Sequence, residues 1–305
     1  MNTLPKELHD LTEIRVNQRF GTFSAIDETT GDKVFVKQIR HPELGGSLRK
    51  EAYGLERMAQ LTRVHTFPFI VPKVIRMGED YLVTTWAEGE TMALSPTLPD
   101  VAERVRFLAA GYAAIDEATE TVHPGRATFG VPGDKQKSVT ERISALLATV
   151  DTDAYFDADL IQRSLDYLDA HLPALTTRFT HADFTPNNII EQGETRTLID
   201  WESASEIWPR FYDVVNFTHN RALSQPELKN ALRDVVTQFF AAINSSADAH
   251  LVQLNTIAVV RALGSISDLM TEPNSYHNTT ETMTPESAAQ IKETLDNVLS
   301  GRLYI

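Results

Sequence analysis

The sequence of 305 residues contains no cysteine, which excludes disulfide bonds, thiolate nucleophiles and cysteine-ligated metal sites. Its nine histidines show no His-x-x-x-His or similar ligand spacing, so we expect no zinc site. Long apolar runs are also missing. The longest, from Phe107 to Ile115, is much shorter than the about 20 residues that span a membrane. The first ten residues contain no apolar segment of the secretory type, so we expect a cytoplasmic protein that has no membrane partner.

Positive charge is scarce in this chain. Lysine and arginine total 28 against 42 aspartates and glutamates, which gives a net charge of −14. Because nucleic acid is itself densely negative, we expect no nucleic-acid partner. An acidic surface suits a small cationic molecule or a metal-bound anion, although the same excess also serves solubility. Charge alone leaves these two explanations open.

Two phosphate-binding sequences are absent. There is no G-x-x-x-x-G-K-[ST], which excludes a P-loop enzyme, and no G-x-G-x-x-G run. The length allows one large domain or two smaller parts, and 42% hydrophobic residues are typical of a folded chain.

The N-terminal part has the pattern of a small antiparallel sheet with one long helix. Residues 22–26 and 33–39 are rich in β-formers and flank a turn, and residues 73–77 and 81–85 predict two further strands. A helix between the two pairs is indicated by an apolar stripe with Ser47 as its N-cap. The stripe consists of Leu48, Ala52, Leu55 and Ala59.

Helical periodicity dominates from residue 99 onward. Residues 101–118, 139–149 and 160–171 predict helices, and two short β-like pieces at 188–190 and 197–199 interrupt them. A further helical stripe contains Leu228, Leu232, Val235, Phe239 and Ile243. We therefore predict an α+β fold with a β-rich N-terminal lobe over residues 1–88 and a larger, mostly helical lobe over 89–305, joined by a hinge at 85–89.

The segment 181–188, HADFTPNN, carries the most informative pattern. It contains His-x-Asp-x4-Asn and is followed by a short apolar strand that ends at Asp200. Phosphoryl transfer needs one carboxylate that orients the attacking hydroxyl and takes its proton, and oxygen ligands that hold Mg²⁺. Asp183 suits the first task, and Asn188 and Asp200 suit the second. A loop between two short strands can bring all three to one edge.

A lysine near the end of the predicted strand 33–39 strengthens this interpretation. Lys37 can reach the α- and β-phosphates of a nucleotide from this position. Its ammonium needs an anion to hold it, and Glu51, in the first turn of the following helix, is the candidate. Glu56 is the alternative partner.

Together these segments resemble the aminoglycoside phosphotransferase and choline kinase-like family, which has the two-lobed protein-kinase architecture. The resemblance extends over about residues 10–220 and includes YLVTTWAEG at 81–89. It implies that ATP and Mg²⁺ are used and that backbone groups of Thr85 and Ala87 bind adenine. It also implies that a loop around residues 18–24, with Gly21 and Ser24, covers the nucleotide.

The resemblance assigns supporting roles to two further residues. It implies that His181 braces the catalytic loop and that Asp213 tethers the backbone of this loop. Glu202 and Glu206 follow Asp200 closely and could face a substrate cation. Glu202 could instead contact the metal through water, and Glu206 could be a solvated surface residue.

The departures from the family pattern are informative. Ala182 stands where the family usually has glycine. Thr185 stands where a protein-serine kinase has lysine, and no Ala-Pro-Glu follows the metal segment. These features favour a small-molecule kinase over a protein kinase.

We therefore predict an ATP- and Mg²⁺-dependent enzyme that phosphorylates a hydroxyl of a small cationic molecule, such as an aminoglycoside. A choline, ethanolamine or other metabolite kinase and a non-catalytic nucleotide-binding pseudokinase are alternatives, as is a helical interaction module with a coincidental motif. The last three residues, 303–305, could place a carboxylate in the acceptor pocket, but we expect a frayed end. The sequence does not indicate an oligomeric state.

Overall fold

The computed structural model describes residues 4–16, 19–41, 44–95, 97–119, 129, 137–270 and 282–305. Gln18, in the predicted nucleotide-covering loop, lies outside these residues. The strands are β1 (Leu8–Val16), β2 (Phe20–Asp27), β3 (Lys33–Ile39), β4 (Val74–Met77), β5 (Tyr81–Thr85), β6 (Glu90–Thr91), β7 (Thr177–Thr180), β8 (Ile189–Gln192), β9 (Thr195–Leu198) and β10 (Ser205–Pro209). The helices are α1 (Gly45–Leu61), α2 (Val101–Ala118), α3 (Val139–Leu147), α4 (Ala158–His171), α5 (Tyr212–Ser224), α6 (Lys229–Ala242), α7 (Leu251–Met270) and α8 (Pro285–Leu299).

The chain forms two compact units that are not continuous in sequence. The first consists of Met1–Ala93 and Asp183–Ser205, and the second consists of Leu94–Ala182 and Glu206–Ile305. The single boundary predicted from the sequence, at 88/89, assigned 183–205 to the C-terminal part. This segment belongs to the first unit because β8 pairs with β6, and because the main chain at Ile70 exchanges hydrogen bonds with β9.

The predicted antiparallel sheet is confirmed in the first unit. Five strands lie in the order β1-β2-β3-β5-β4, with every pairing antiparallel. Alternate side chains of the central strands point to one face, as the period-2 pattern requires. They form an apolar core that contains Leu8, Ala25, Val34, Val36 and Val83.

Helix α1 was predicted, and Leu48, Ala52 and Leu55 of the predicted stripe are buried, but the start of the helix was not predicted. The helix begins at Gly45, after Leu44, so Ser47 lies inside the first turn and the predicted N-cap is wrong. Glu51 consequently falls in the second turn. The inward face carries Met58, whereas Ala59 is exposed.

The second unit is mostly helical, as predicted. α2 has the predicted bounds, and α3, α4 and α6 correspond closely to the other predicted segments. β7 and β10 form a separate two-stranded sheet. Among the described residues, one helical segment, Asp248–Met270, is long and apolar enough to cross a membrane, and 61% of its apolar window is buried inside the protein. That burial is typical of the core helix of a globular unit.

The C-terminus is held inside the second unit, so the expected frayed end is wrong. Tyr304 and Ile305 are buried, and the hydroxyl of Tyr304 is hydrogen-bonded to Thr218. Asn255 accepts from the backbone N–H of Tyr304 and donates to the carbonyl of Arg302. These bonds anchor the last residues to α5 and α7.

Candidate active site

Strand register places Lys37 on a defined face of the first-unit sheet. Directly opposed residues in antiparallel strands share a face. Lys37 lies opposite Thr22 of β2 and Leu82 of β5. Two positions earlier on β3, Phe35 lies opposite Thr84 of β5 and therefore has the same orientation.

The predicted nucleotide-covering residues lie on strand β2 and not in a loop, which corrects the sequence interpretation. Ser24 is paired with Phe35 and therefore lies on the same face as Lys37. Gly21 is paired with Gln38 and lies on the opposite face. A Cβ on Gly21 would lie 2.9 Å from the ring of Phe23, so a larger residue there would require this ring to shift.

Lys37 forms the centre of the site. Its side-chain nitrogen donates to Glu51 Oε2 at 2.9 Å, Asp200 Oδ1 at 2.9 Å and Glu202 Oε2 at 3.0 Å. Lys37 is only 6% exposed, and burial by itself would lower its pKa. The three carboxylates outweigh that effect and raise the pKa, so the ammonium stays charged.

Glu51 is the predicted partner of Lys37, and the structure places it there. Glu56, the alternative, is exposed on α1. Burial raises the pKa of Glu51 to about 7 even though the Lys37 ammonium opposes the shift. The neighbouring Asp200 and Glu202 carboxylates add to the increase, because three acids here share one lysine.

Glu202 is the third carboxylate of the Lys37 cluster. Its two carboxylate oxygens contact two cations: Oε2 lies on Lys37, and Oε1 lies 3.3 Å from Arg19. The same two cations lie over the ring of Phe20, at 4.5 Å for Lys37 and 4.9 Å for Arg19. Glu202 thus belongs to the lysine cluster, and the contacts predicted for it, with a substrate cation or with the metal through water, stay predictions.

The β8–β9 hairpin brings Asn188 and Asp200 to one edge. Asn188 immediately precedes β8, and Asp200 closely follows β9. Because Ile189 pairs with Leu198, the adjoining residues Asn188 and Ile199 lie next to each other at the open end of the hairpin. Asp200 follows directly after Ile199. The N–H of Ile199 donates to the carbonyl of Asn188 at 2.9 Å. The prediction that Asn188 and Asp200 meet at one edge rested on the same hairpin geometry.

Asp183 is joined directly to Asn188. The Asn188 amide donates to the Asp183 carboxylate at 2.7 Å and to the Asp183 carbonyl at 2.8 Å. Phe184 holds the loop in place, because it is fully buried and packs edge-on against Phe69 at 5.5 Å between ring centroids. The amide therefore orients the carboxylate, and the aromatic pair anchors the loop.

The segment that follows Asp200 is fixed by close packing on α1. Trp201 is fully buried, and its indole N–H donates to the carbonyl of Leu198 at 2.9 Å, so it serves packing. Gly54 of α1 faces this turn, and a Cβ there would lie 2.9 Å from the Ala204 side chain and 3.0 Å from that of Trp201. Helix α1, which carries Glu51, can therefore pack this closely on the turn after Asp200 only because residue 54 is glycine.

Two residues of this region adopt left-handed backbone angles. Ala182 has φ 66°, which explains why glycine is usual at this position in the family that the sequence resembles. Asp200 has φ 62°. Such angles in non-glycine residues occur mainly where surrounding structure holds a functional loop in place.

In the second unit, Asp213 is bound at the end of β7, just before the predicted catalytic loop. Its carboxylate accepts from the backbone N–H of His181 at 3.0 Å, and both residues are buried. This is the tethering contact that the family resemblance implies for Asp213. Glu206 lies half-buried on β10, in the unit that contains none of the Lys37 cluster.

The predicted hinge lies at the end of β5. The N–H of Thr85 already donates to the carbonyl of Lys73 at 3.0 Å, so an adenine could meet Thr85 only through its carbonyl oxygen. Ala87 is partly exposed beyond the strand. Gly89 has φ +121°, and a Cβ there would lie 2.0 Å from the carbonyl oxygen of Glu191, so only glycine fits.

Three features of the site were missed from the sequence. The sequence did not pair Glu202 with Lys37, and it did not assign Arg19 a role within the covering loop. It also did not place buried Thr84 on the Lys37 face, although alternation along β5 contains this signal, since Leu82 faces Lys37. The contact between Arg19 and Glu202 has no sequence signal, because it joins distant segments.

The donor set fits a magnesium ion at Asp200 and Asn188, which offer carboxylate and amide oxygens. The Asn188 NH₂ group is used by Asp183, which leaves the amide oxygen as the possible ligand. The carboxylates of Glu51, Asp200 and Glu202 also lie within 4.8 Å of one another. The Lys37 ammonium lies among these three acids, so its charge opposes a second cation there.

Comparison with known families identifies the chain's relatives. The family model described as "Phosphotransferase enzyme family" matches residues 10–243. A comparison with curated protein sequences found no match.

Solved structures share the fold at low identity. An aminoglycoside 2'-phosphotransferase-IIIa in complex with GDP has a TM-score of 0.56 at 13% identity, covering 97% of this chain and 94% of that one. A macrolide 2'-phosphotransferase from Brachybacterium faecium has a TM-score of 0.56 at 15% identity, covering 84% and 86%. An ethanolamine kinase from Plasmodium vivax has a TM-score of 0.51 at 13% identity, covering 97% and 77%. These likenesses confirm the predicted protein-kinase-like fold.

Proposed function

The chain belongs to the phosphotransferase enzyme family, and on this premise we propose that it transfers the γ-phosphoryl group of ATP to a hydroxyl of a small cationic molecule. The observation that carries the proposal is that the Lys37 cluster and the Asp183–Asn188 pair meet at the hairpin edge that holds Asp200. Lys37 binds Glu51 and Asp200, while Asn188, at the same hairpin edge as Asp200, orients Asp183. The helical interaction module is excluded by the family match.

Each residue has a task in this reaction. Asp183 accepts a hydrogen bond from the acceptor hydroxyl and takes its proton as the oxygen attacks the γ-phosphorus. The new bond joins the acceptor oxygen to that phosphorus, the bond from it to the β–γ bridging oxygen breaks, and ADP leaves. Lys37 donates to phosphate oxygens and offsets their charge. Glu51 holds the lysine in place.

Asp200 and Asn188 would hold Mg²⁺, which neutralises charge on the phosphate oxygens when it is bound. The hairpin register supports this assignment, because it places both residues at one edge. Asp200 has a side chain that is 38% exposed, so an ion can reach it from solvent.

For the acceptor, we propose an amine-bearing alcohol of the aminoglycoside type. The net charge of −14 supports a cationic substrate. A kinase for choline, ethanolamine or a related metabolite is the second candidate, and the ethanolamine kinase among the structural neighbours favours it. A macrolide is included as an acceptor to test because another neighbour is a macrolide phosphotransferase.

The experiment is an assay of acceptor-dependent ADP release with aminoglycosides, choline, ethanolamine and macrolides, with mass spectrometry of the phosphorylated product. ATP and GTP are compared as donors. We expect Asp183→Asn to lower turnover by at least about a thousandfold while nucleotide affinity stays within about threefold. Asp169→Asn, on the exposed face of α4, is the matched control.

Turnover of Asp183→Asn at the wild-type rate would remove this residue from the mechanism. Nucleotide binding without transfer to any acceptor in the panel would favour the pseudokinase. Absence of nucleotide binding would contradict the proposed function itself.

A further inference from the structure

The Lys37 ammonium has three protons, and carboxylates accept all three. Glu51, Asp200 and Glu202 each lie within 3.0 Å of the nitrogen. A phosphate oxygen can bind Lys37 only if at least one of these carboxylates leaves. A nucleotide must therefore displace a side chain of the protein.

The three carboxylates differ in how easily they can leave. Glu51 is buried on α1, and only 7% of its side chain is exposed. Asp200 is 38% exposed, but its proposed ligand is the metal ion. Glu202 is intermediate at 18%, and it belongs to the short turn at 201–203. Glu202 also contacts a second cation, Arg19, so its place between the two cations is the one that we expect a phosphate to take.

The contacts of the Glu202 carboxylate are those that a bound phosphate group could make. One of its oxygens lies on Lys37 and the other on Arg19, so a single anion bridges two cations. The guanidinium of Arg19 and the ammonium of Lys37 also share the ring of Phe20. A phosphate group, which presents several oxygens, can make the same pair of charge-assisted contacts.

Charge in the cluster favours this exchange. When all three carboxylates are ionised, Arg19 and Lys37 contribute +2 and the carboxylates −3, so a nucleotide phosphate approaches a cluster with net charge −1. When Glu202 leaves, the two cations face only two acids. We propose that Glu202 and a nucleotide phosphate compete for Lys37 and Arg19, which makes Arg19 a second phosphate-binding residue.

This inference rests on the proposed function, and its test separates the two. Binding of ADP and of inorganic tripolyphosphate is measured by calorimetry in the presence of a chelator, so that Asp200 keeps its contact with Lys37. We expect Glu202→Gln to tighten both affinities by about tenfold, because a competing anion is removed. Glu56→Gln, which removes the same charge from an exposed site on α1, should change them less than twofold.

The second variant tests Arg19 directly. In the Glu202→Gln protein, Arg19→Gln should weaken the affinities for ADP and tripolyphosphate by about tenfold. In the otherwise unchanged protein the loss should be smaller, because Glu202 still competes. The Arg19 side chain is 43% exposed, so its loss does not threaten folding. Arg63→Gln, exposed at the end of α1, is the matched control.

The outcomes are distinct. If wild type binds ADP but Glu202→Gln binds it no more tightly, the competition is refuted and the proposed function stands. If neither protein binds ADP but Glu202→Gln binds tripolyphosphate more tightly than wild type, the competition stands and nucleotide binding fails. If neither ligand binds either protein, both proposals are overturned. In the Glu202→Gln protein, an Arg19→Gln effect no larger than that of Arg63→Gln would exclude Arg19 as a phosphate-binding residue.

Discussion

Replacement of Lys37 by methionine tests the charge balance of the site without any ligand. Methionine keeps most of the aliphatic volume but leaves Glu51, Asp200 and Glu202 close together without their shared cation. Removal of one partner of a buried pair costs about 3–5 kcal/mol. Since Asp200 is more than one-third exposed, solvent screens part of the repulsion, so we expect a loss of about 3 kcal/mol in unfolding free energy at pH 8.

The pH dependence of the loss in unfolding free energy shows whether repulsion among the three acids causes it. Glu51 has a folded-state pKa of about 7, above its ordinary value of 4.5, so the folded protein binds its proton more tightly than the unfolded chain does. Such a group contributes stability below pH 4.5 that is lost as the pH rises through 7. Without Lys37 the pKa of Glu51 rises further. The cost of the substitution should therefore be smaller at pH 5 than at pH 8, by at least about 1 kcal/mol.

The assay is urea denaturation at both pH values. Lys50→Met, at an exposed position of α1, is the matched control and should change the unfolding free energy by less than about 0.5 kcal/mol at either pH. If Lys37→Met costs the same at pH 5 and pH 8, or no more than Lys50→Met, the account of Lys37 as the shared counter-ion of three acids is refuted.

Two further predictions concern the supporting structure. Gly89→Ala should lower the unfolding free energy by more than about 2 kcal/mol in urea denaturation, because its Cβ would collide with the backbone of β8; Gly31→Ala, with φ +73° and open space around it, should cost only about 1 kcal/mol. Burial, with a smaller contribution from Arg261, lowers the pKa of His219 to about 3 from 6.5. The stability that this provides is present above pH 6.5 and is lost towards pH 3, and urea denaturation at several pH values should show that His219→Gln removes this acid sensitivity.

The parts of the site that sequence predicted are those with a local pattern. β3 is a dense run of β-formers, and its lysine was placed within the strand from that run alone. Asp183, Asn188 and Asp200 lie around one hairpin, so their proximity follows from short-range geometry. Such features depend on few long-range contacts and are therefore visible in the sequence.

The parts that sequence missed depend on the surroundings. β1 was not assigned because it is an edge strand whose residues, apart from Leu8 and His9, are exposed, so it lacks the apolar alternation of a core strand. The start of α1 was hidden by Gly45 and Gly46, which are poor helix formers. The burial of Tyr304 depends on contacts with residues far away in the chain, to which local periodicity is insensitive.

The most direct test of the central claim is the effect of Mg²⁺ on nucleotide affinity in wild type and in Asp200→Asn, measured by calorimetry. If the Lys37 cluster and the hairpin edge form a magnesium–nucleotide site, Mg²⁺ should tighten ATP binding by at least about tenfold in wild type, and Asp200→Asn should lose this gain. Asp32→Asn, in the exposed turn before β3, should keep it. Equal tightening by Mg²⁺ in wild type and Asp200→Asn would contradict the account.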